Sequence, residues 1–365
     1  MMPILPIARP QLPSMEDLAP YLKMIDKSRV YSNFGPLVLS FETRLAAHFG
    51  VPEGAITTVA NATLGLAIAL AAQGARAGTL CAMPAWTFVA SAHAATLAGL
   101  IPYFIDVDIK TWALDIDRIA DAVSRAPAPV GAVMPVAPFG YPIDVAAWDR
   151  FRARTKLPVV IDAAAAFDTI TPGETPAVVS LHATKVLGVG EGGFVMSTDA
   201  STVSEVRART NFGFQGTREA VVPAVNAKLS EYHAAVGLAA LDQWSDVRSE
   251  WMAVAQSYRK AIPEANRLRF QTGFGETWVT STCVLSLAST DIGRVENALS
   301  EAGIATRRWW GNGAHAHPAT LAFPRAPVPA TEALAQSTIA VPLYRDLQAT
   351  EIRRVANCVI AAAGF

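Results

Sequence analysis

With 365 residues, 52% hydrophobic and 17% charged, the chain is long enough for two domains and suits a well-buried α/β protein. A formal net charge of −1 argues against nucleic acid or an anionic membrane as a partner. The three cysteines lie far apart without metal-ligand spacing, so we expect free thiols, no metal site and a cytoplasmic protein. The first ten residues contain three prolines and no signal-like apolar run, and no apolar stretch is long enough to span a bilayer.

The predicted elements alternate between helices and strands along the first 200 residues. An arm leads into a helix at 15–26, a turn occupies 32–36, and an amphipathic helix at 42–49 ends at a glycine. Short strands rich in Val, Ile and Ala are predicted at 56–59, 80–83, 101–105, 130–136, 159–162, 178–181 and 193–197. Helices are predicted between them at 61–73, 88–98, 115–124 and 145–154.

This alternation predicts an α/β fold with two domains. Continuous apolar strands separated by helices form a mostly parallel sheet that is covered on both faces. An α+β pattern follows, with helices at 229–241, 247–261, 291–301 and 350–363 and strands at 267–271 and 277–287. We therefore predict a large domain with its N-terminal arm over 1–245 and a smaller C-terminal domain over 246–365.

A lysine and an aspartate follow two of the predicted strands. Asp162 ends one strand, and Lys185 comes after the next, within Ser180-Leu-His-Ala-Thr-Lys185 and before a glycine-rich turn. Ligands of parallel sheets bind beyond the carboxyl ends of the strands, where both residues fall. A lysine that forms a Schiff base and an aspartate that keeps a pyridinium protonated are the minimal machinery for pyridoxal 5'-phosphate (PLP). Alone, Lys185 could be a surface lysine and Asp162 a helix N-cap, but together they favour a PLP site.

Two more segments suit parts of that cofactor. Asn61-Ala-Thr63 opens a helix, whose N-terminus can bind phosphate, although Asn61 could also be an ordinary N-cap. Ser180 could donate its hydroxyl to the same phosphate or be a core serine. Trp86 and Phe88 follow the second strand, and either ring could stack on the cofactor or belong to the core.

The segment Arg307-Arg-Trp-Trp-Gly-Asn-Gly-Ala-His315 combines two guanidinium groups with two indole rings. Such groups could hold an anionic, ring-bearing substrate. A packed cluster at the interface between the two domains is an equally good interpretation. Asn226-Ala-Lys-Leu-Ser-Glu231 indicates, on its own, only a loop and the start of a helix.

Taken together, these motifs resemble the sugar aminotransferases of the DegT/DnrJ/EryC1/StrS family, nearly end to end. Asn61-Ala-Thr63 stands where that family has Ser-Gly-Thr, and Pro84-Ala-Trp-Thr-Phe-Val-Ala90 is similar to its Pro-x-x-Thr-Phe-x-Ala. The other matching segments, in order, are Asn33-Phe-Gly-Pro36, the lysine segment with Gly190-Glu-Gly-Gly193, Asn226–Glu231 and Pro342-Leu-Tyr344. The resemblance implies the fold type I PLP architecture, a large domain with a mostly parallel sheet covered by helices and a smaller α+β C-terminal domain.

The resemblance also implies roles for individual residues. Lys185 would carry PLP covalently and move a proton between the amino donor and the cofactor, and Asp162 would hold the pyridinium nitrogen. Ala62, Thr63 and Ser180 would bind the cofactor's phosphate.

Further roles concern the partner subunit and the substrates. Asn226 would reach the phosphate across the interface of a homodimer with shared active sites. Phe88 matches the ring-stacking position, with Trp86 nearby. The candidate substrate-binding residues are Lys228, Arg308 and Trp309.

The family's usual donor is L-glutamate, and its usual acceptor is a nucleotide-linked keto-deoxysugar. The segment at Arg307 and the opening of the chain look most like the branch that aminates C4 of a dTDP-4-keto-6-deoxyhexose. One departure concerns Ala165, because the family usually has His or Gln there to hydrogen-bond the cofactor's phenolic oxygen. Two alternatives are a sugar dehydratase of the same fold, which has histidine in place of Lys185, and a non-catalytic regulatory protein.

Overall fold

A computed structural model describes residues 4–263, 268–287 and 292–364. The helices within these ranges are α1 (Met15–Ser28), α2 (Pro36–Phe49), α3 (Ala62–Ala72), α4 (Val89–Leu97), α5 (Ile116–Ser124), α6 (Val145–Thr155), α7 (Ala200–Thr210), α8 (Glu231–Asp242), α9 (Trp244–Ala261), α10 (Ile292–Glu301), α11 (Pro329–Ser337) and α12 (Ala349–Ala363). The strands are β1 (Ile56–Val59), β2 (Leu80–Pro84), β3 (Ile101–Ile105), β4 (Val130–Val133), β5 (Ile161–Asp162), β6 (Ala177–Ser180), β7 (Gly193–Met196), β8 (Leu268–Phe270), β9 (Cys283–Leu287) and β10 (Thr338–Val341).

The large sheet is built from two ladders that meet at β4 and β5. One ladder has the order β3-β2-β4 and the other β1-β7-β6-β5. Parallel bridges between Val133 and Val159 and between Val136 and Asp162 join them. The resulting order is β3-β2-β4-β5-β6-β7-β1, in which only β7 runs antiparallel to its neighbours. This confirms the predicted mostly parallel sheet.

Helices cover the sheet closely because small residues face it. α3 is apolar on all sides and packs against α4, α7 and the β6–β7 part of the sheet. A Cβ added at Gly65 of α3 would lie 2.9 Å from the Val178 side chain and 3.0 Å from that of Val59. The glycine therefore lets the N-terminal half of α3 lie directly on the strands that carry the candidate site.

α2 begins six residues before the predicted start at 42. Pro36 occupies its first turn, where a missing N–H costs nothing. The buried carboxylate of Glu231 accepts the N–H groups of Leu37 at 2.8 Å and Val38 at 3.0 Å. This distant cap satisfies donors that the local sequence leaves open, so the helix extends back to the turn.

A second, antiparallel sheet has the order β10-β9-β8. Its predicted strand at 267–271 is observed at Leu268–Phe270, and Arg267 lies outside the described residues, as does Asp291 of the predicted helix at 291–301. The strand predicted at 277–287 is confined to β9, and α7, α11 and β10 were not predicted. The domain division at 245/246 stays a prediction. No helix in the described part of the chain is long and apolar enough to cross a membrane.

Candidate active site

The carboxyl ends of β5 and β6 bring the predicted catalytic pair to one edge of the sheet. The two strands are parallel neighbours, with Asp162 opposite Val178, so Asp162 and Ser180 end them on the same side. The loop after β6 then turns back, because the Lys185 N–H donates to the His182 carbonyl at 2.9 Å. Lys185 is thereby held close enough to Asp162 for their charges to interact.

Asp162 is buried and keeps unused capacity to accept hydrogen bonds. Ser91 Oγ donates to its Oδ2 at 2.6 Å, and the Ala164 N–H donates to its Oδ1 at 3.1 Å. Burial raises the pKa of Asp162, while Ser91, Ala164 and the charge of Lys185 oppose that rise. Since a carboxylate has about four lone-pair sites, Asp162 can still accept a bond from a cationic N–H.

Lys185 is half-buried beside a small cavity that Arg9, Thr184 and Tyr344 also line. Burial lowers the pKa of its ammonium group, and the charge of Asp162 opposes this fall. A lowered pKa increases the fraction of neutral amine, which is the form that attacks a carbonyl carbon. Lys185 therefore has the properties of a Schiff-base lysine.

The N-terminus of α3 and the end of β6 lie together on either side of Gly193. Asn61 Oδ1 accepts the Leu64 N–H at 2.9 Å, so Asn61 is the N-cap of α3. Gly193 pairs with Ser180, and a Cβ on it would lie 3.0 Å from the Ala62 nitrogen. The start of α3, with Ala62 and Thr63, therefore lies near Ser180. A phosphate bound there would accept hydrogen bonds from helix N–H groups and from a hydroxyl.

The two predicted aromatic residues have opposite environments. Trp86 is fully buried and touches Trp310, with ring centroids 5.3 Å apart. Phe88 precedes α4 and is 52% exposed. Phe88 is therefore the ring that can face a ligand, whereas Trp86 belongs to a packed aromatic cluster.

The Arg307–Trp310 segment is largely engaged in contacts within the chain. Arg308 Nη2 donates to the Ala335 carbonyl at 3.0 Å, and the Arg307 guanidinium lies 4.6 Å from the Trp309 ring centroid. Trp310 stacks on Phe139 at 4.1 Å with an angle of 7° between the rings. These contacts join the large sheet to the β9–β10 sheet, as expected if the segment is a packed cluster at the interface. The Trp309 Nε1 is buried and has no hydrogen-bond partner in the part of the chain that the structure describes.

Asn226 and Lys228 lie beside the turn between β1 and α3. The carbonyl of the intervening Ala227 accepts the Ala60 N–H at 2.7 Å. The Asn226 side chain is exposed. Lys228 Nζ is buried 4.3 Å from the Phe212 ring centroid and has no hydrogen-bond partner among the described residues. Burial lowers the pKa of Lys228. The backbone of this segment therefore lies next to the turn that leads into α3.

The comparisons with known proteins identify the family. The model of the DegT/DnrJ/EryC1/StrS aminotransferase family matches residues 14–360. The chain belongs to this family. It is 32% identical over 330 residues to Protein Rv3402c of Mycobacterium tuberculosis, covering 87% of this chain and 79% of that one. It is 30% identical over 265 residues to the dTDP-4-amino-4,6-dideoxy-D-glucose transaminase of Shigella dysenteriae, covering 71% and 70%.

Solved structures agree with the sequence relatives. DesI, determined in the presence of its TDP-sugar product, superposes with a TM-score of 0.88 at 29% identity, covering 100% of this chain and 94% of that one. A Bacillus cereus protein described as a PLP-dependent aminotransferase superposes with a TM-score of 0.90 at 26% identity, covering 98% and 99%. This aminotransferase therefore has the predicted fold type I architecture and uses PLP.

The residues of this aminotransferase fit the cofactor at most points. Lys185 offers a partly buried amine, and Asp162 offers an acceptor for the ring nitrogen. The close approach of Gly193 to the Ala62 nitrogen leaves backbone N–H groups for the phosphate. Position 165 is the exception, since an alanine there cannot supply the hydrogen bond to the phenolic oxygen that the family resemblance leads us to expect.

Sequence reasoning missed Ser91, the hydroxyl that contacts Asp162. Ser91 is fully buried in the first turn of α4, four residues after Thr87, whose Oγ1 lies 2.8 Å from Ser91 Oγ. Two hydroxyl residues at this spacing share one face of a helix start, and that was the available signal. The partner 71 residues away could be found only from the sheet order.

Proposed function

We propose that this enzyme transfers the amino group of L-glutamate to the keto group of a nucleotide-linked deoxysugar, with PLP and its amine form PMP alternating. The observation that carries the proposal is the pairing, at one edge of the sheet, of a partly buried lysine with a lowered pKa and a buried aspartate with spare acceptor sites. When bound, PLP supplies an electron sink that stabilises a carbanion.

The chain's own residues divide the remaining work. Lys185 would hold the cofactor covalently, and its Nζ, once free, would carry the proton between the α-carbon of the donor and C4′ of the cofactor. Asp162 keeps the ring nitrogen protonated through its carboxylate. Ala62, Thr63 and Ser180 bind the phosphate, and Phe88 covers one face of the ring.

We propose a dTDP-4-keto-6-deoxyhexose as the acceptor, aminated at C4. The support is the likeness to the Shigella transaminase and to DesI, which was solved with a TDP-sugar. Arg308 uses one of its five donors on the Ala335 carbonyl and has others for a diphosphate, and the Trp309 Nε1 is a further free donor. Lys228 is a third candidate, because its Nζ has no hydrogen-bond partner within the described ranges of the chain.

A homodimer with shared active sites is part of the proposal. Three apolar side chains near Asn226 are about half exposed, namely Phe212, Val221 and Val225. A second copy packed on this surface would cover them and would bring Asn226 to the phosphate of the opposite site. A cytoplasmic location suits the three free cysteines.

The test separates the two half-reactions. Purified enzyme loaded with PLP should be converted to the PMP form by L-glutamate, and dTDP-4-keto-6-deoxyglucose should then consume the PMP. Each step is followed by the cofactor's absorbance and by mass analysis of the amino sugar, with a GDP-linked keto-sugar as the matched alternative acceptor. PMP that forms but is consumed by no keto-sugar would refute the acceptor class, and failure of glutamate to form PMP would refute the donor.

A further inference from the structure

Two buried hydroxyl groups form a chain that ends on Asp162. Ser91 Oγ lies 2.6 Å from Asp162 Oδ2, and Thr87 Oγ1 lies 2.8 Å from Ser91 Oγ. Thr87 and Ser91 are 1% and 0% exposed, so water does not compete for these contacts. The other carboxylate oxygen accepts the Ala164 N–H at 3.1 Å, so each oxygen of Asp162 has its own donor.

The direction of donation follows from the number of protons. A hydroxyl has a single proton, and Ser91 gives its proton to the carboxylate. Thr87 must then donate to Ser91, since its other contact, the Phe88 carbonyl, is at 3.5 Å. Aligned O–H groups polarise one another, so the Thr87 hydroxyl strengthens the bond that Ser91 makes to Asp162.

The fold fixes this chain of hydroxyls in place. Thr87 lies in the short connection between β2 and α4, and Ser91 lies in the first turn of α4. β2 neighbours β4 in the sheet, and the bridge between Val136 and Asp162 continues the sheet to β5. The two hydroxyl groups therefore approach Asp162 from the β2–α4 segment, and not from the loop after β6 that carries Lys185.

We propose that Ser91, supported by Thr87, is a positioning residue that holds Asp162 as an oriented, ionised carboxylate for the ring nitrogen of PLP. This inference rests on the role proposed for Asp162. A buried carboxylic acid tends to keep its proton, and a protonated acid no longer favours a protonated ring nitrogen. Among the described residues, the hydrogen bonds from Ser91 and Ala164 oppose the rise in the pKa of Asp162 more than the charge of Lys185 does.

The test measures PLP binding and the pH titration of the bound cofactor's absorbance. Ser91→Ala should weaken PLP binding to the apo-protein by about tenfold, the usual effect of losing a hydrogen bond to a charged group. The absorbance midpoint should move to higher pH, because a less protonated ring nitrogen no longer lowers the pKa of the lysine–PLP linkage. Ser91→Thr keeps the hydroxyl and should restore both values. Thr87→Val should weaken PLP binding by about threefold or less, and it should move the absorbance midpoint to higher pH by less than Ser91→Ala does.

Two controls separate this role from simple packing. Thr202 is another buried hydroxyl that donates to a carboxylate, at 2.8 Å to Asp199 Oδ2, so Thr202→Ala should lower thermal stability without changing PLP binding or the midpoint. With the PLP analogue in which carbon replaces the ring nitrogen, the binding difference between wild type and Ser91→Ala should disappear.

The outcomes distinguish the two levels of the proposal. Equal PLP affinities and equal midpoints in wild type and Ser91→Ala would overturn the inference, as would a penalty that persists unchanged with the analogue. Asp162→Asn is measured alongside. If Asp162→Asn changes both values while Ser91→Ala and Thr87→Val do not, the role of Asp162 survives and that of Ser91 fails. If Asp162→Asn changes neither value, both fail.

Discussion

The lysine–aspartate edge of the large sheet and the Arg307–Trp310 segment both carry charged groups that the sequence marks as binding groups, but their surroundings differ. At the sheet edge, Asp162 accepts from a serine and a backbone N–H and keeps room for another donor. In the segment, Arg308 already donates to the Ala335 carbonyl and Trp310 already stacks on Phe139.

Unused hydrogen-bonding capacity distinguishes a reactive group from a packed one. A buried charge with unused hydrogen-bonding capacity costs stability, so the fold holds it for a ligand. A ring stacked on a ring lowers the free energy of the folded chain without any ligand. On this criterion we propose the sheet edge as the reactive centre. The segment is mainly packed, although Trp309 Nε1 has no hydrogen-bond partner among the described residues.

The largest expected effect comes from Lys185→Ala. Without the amine, turnover should fall by at least about 10⁴-fold, because both covalent attachment and the proton carrier are lost. PLP should still bind non-covalently, since the phosphate and ring contacts remain. Steady-state kinetics and a spectrum of the bound cofactor measure this, with the exposed Lys110→Ala as control. Turnover close to wild type in Lys185→Ala would show that the sheet edge is not the reactive centre.

Asp162→Asn should lower the rate by about 10²-fold, or about 3 kcal/mol of transition-state stabilisation. Burial raises the pKa of Asp162, so this carboxylate is protonated at a higher pH than an ordinary carboxyl group. As the pH is lowered, the affinity of the apo-protein for PLP should therefore begin to fall at that higher pH. Asp162→Asn should lack this acid limb. Asp199→Asn, an aspartate bonded to hydroxyls elsewhere, is the matched control. Near-normal turnover of Asp162→Asn would contradict the assignment.

Mixing of variant subunits tests whether Asn226 acts in the active site of the partner subunit. Asn226→Ala chains and Lys185→Ala chains, each inactive alone, should regain about a quarter of wild-type activity after equal mixing, because half of the dimers are hybrids with one intact site. The prediction requires that Asn226→Ala is itself severe. Subunit exchange is verified by mass-tagged chains. If exchange occurs without any rescue, each site is built from one chain, which the position of Ala227 beside Ala60 would also permit.

The smallest effects should come from the Arg307–Trp310 segment, where we expect Arg308 and Trp309 to act on the acceptor and Trp310 to act on stability. Trp309→Phe and Arg308→Gln should raise the acceptor KM by about three- to tenfold while the glutamate half-reaction and the melting temperature change little. Trp310→Ala should instead destabilise the fold by about 3 kcal/mol and weaken both half-reactions. Differential scanning calorimetry and the separate half-reactions measure this. Parallel losses in all three variants would make the whole segment structural.

Much of the fold was predictable because strands and helices alternate with clear composition. The bounds of β1 and β3 match the prediction, and those of α3 and α4 differ by one residue at each end. The antiparallel direction of β7 was not predictable, since four apolar residues look the same in either direction. The early start of α2 was missed because its cap, Glu231, is almost 200 residues away.

The candidate site divides in the same way. Lys185 and Asp162 were predicted because strand ends are visible in the sequence, and the structure places the two residues near one another. Ser91 was missed because the spacing of Thr87 and Ser91 indicates only that two hydroxyl groups share a face. It does not indicate that their partner is a carboxylate 71 residues away. The two tryptophans of the segment were left open between binding and packing, and only the distance between Trp310 and Phe139 shows that one of them packs.

The central claim is that Lys185 holds the cofactor, and reduction of the PLP-loaded enzyme with borohydride tests it most directly. Reduction makes the lysine–PLP bond permanent, and peptide mass mapping then locates the label. We expect stoichiometric label on Lys185 in wild type and none in Lys185→Ala. Label on Lys228 or on any other lysine in wild type, with Lys185 unmodified, would contradict it.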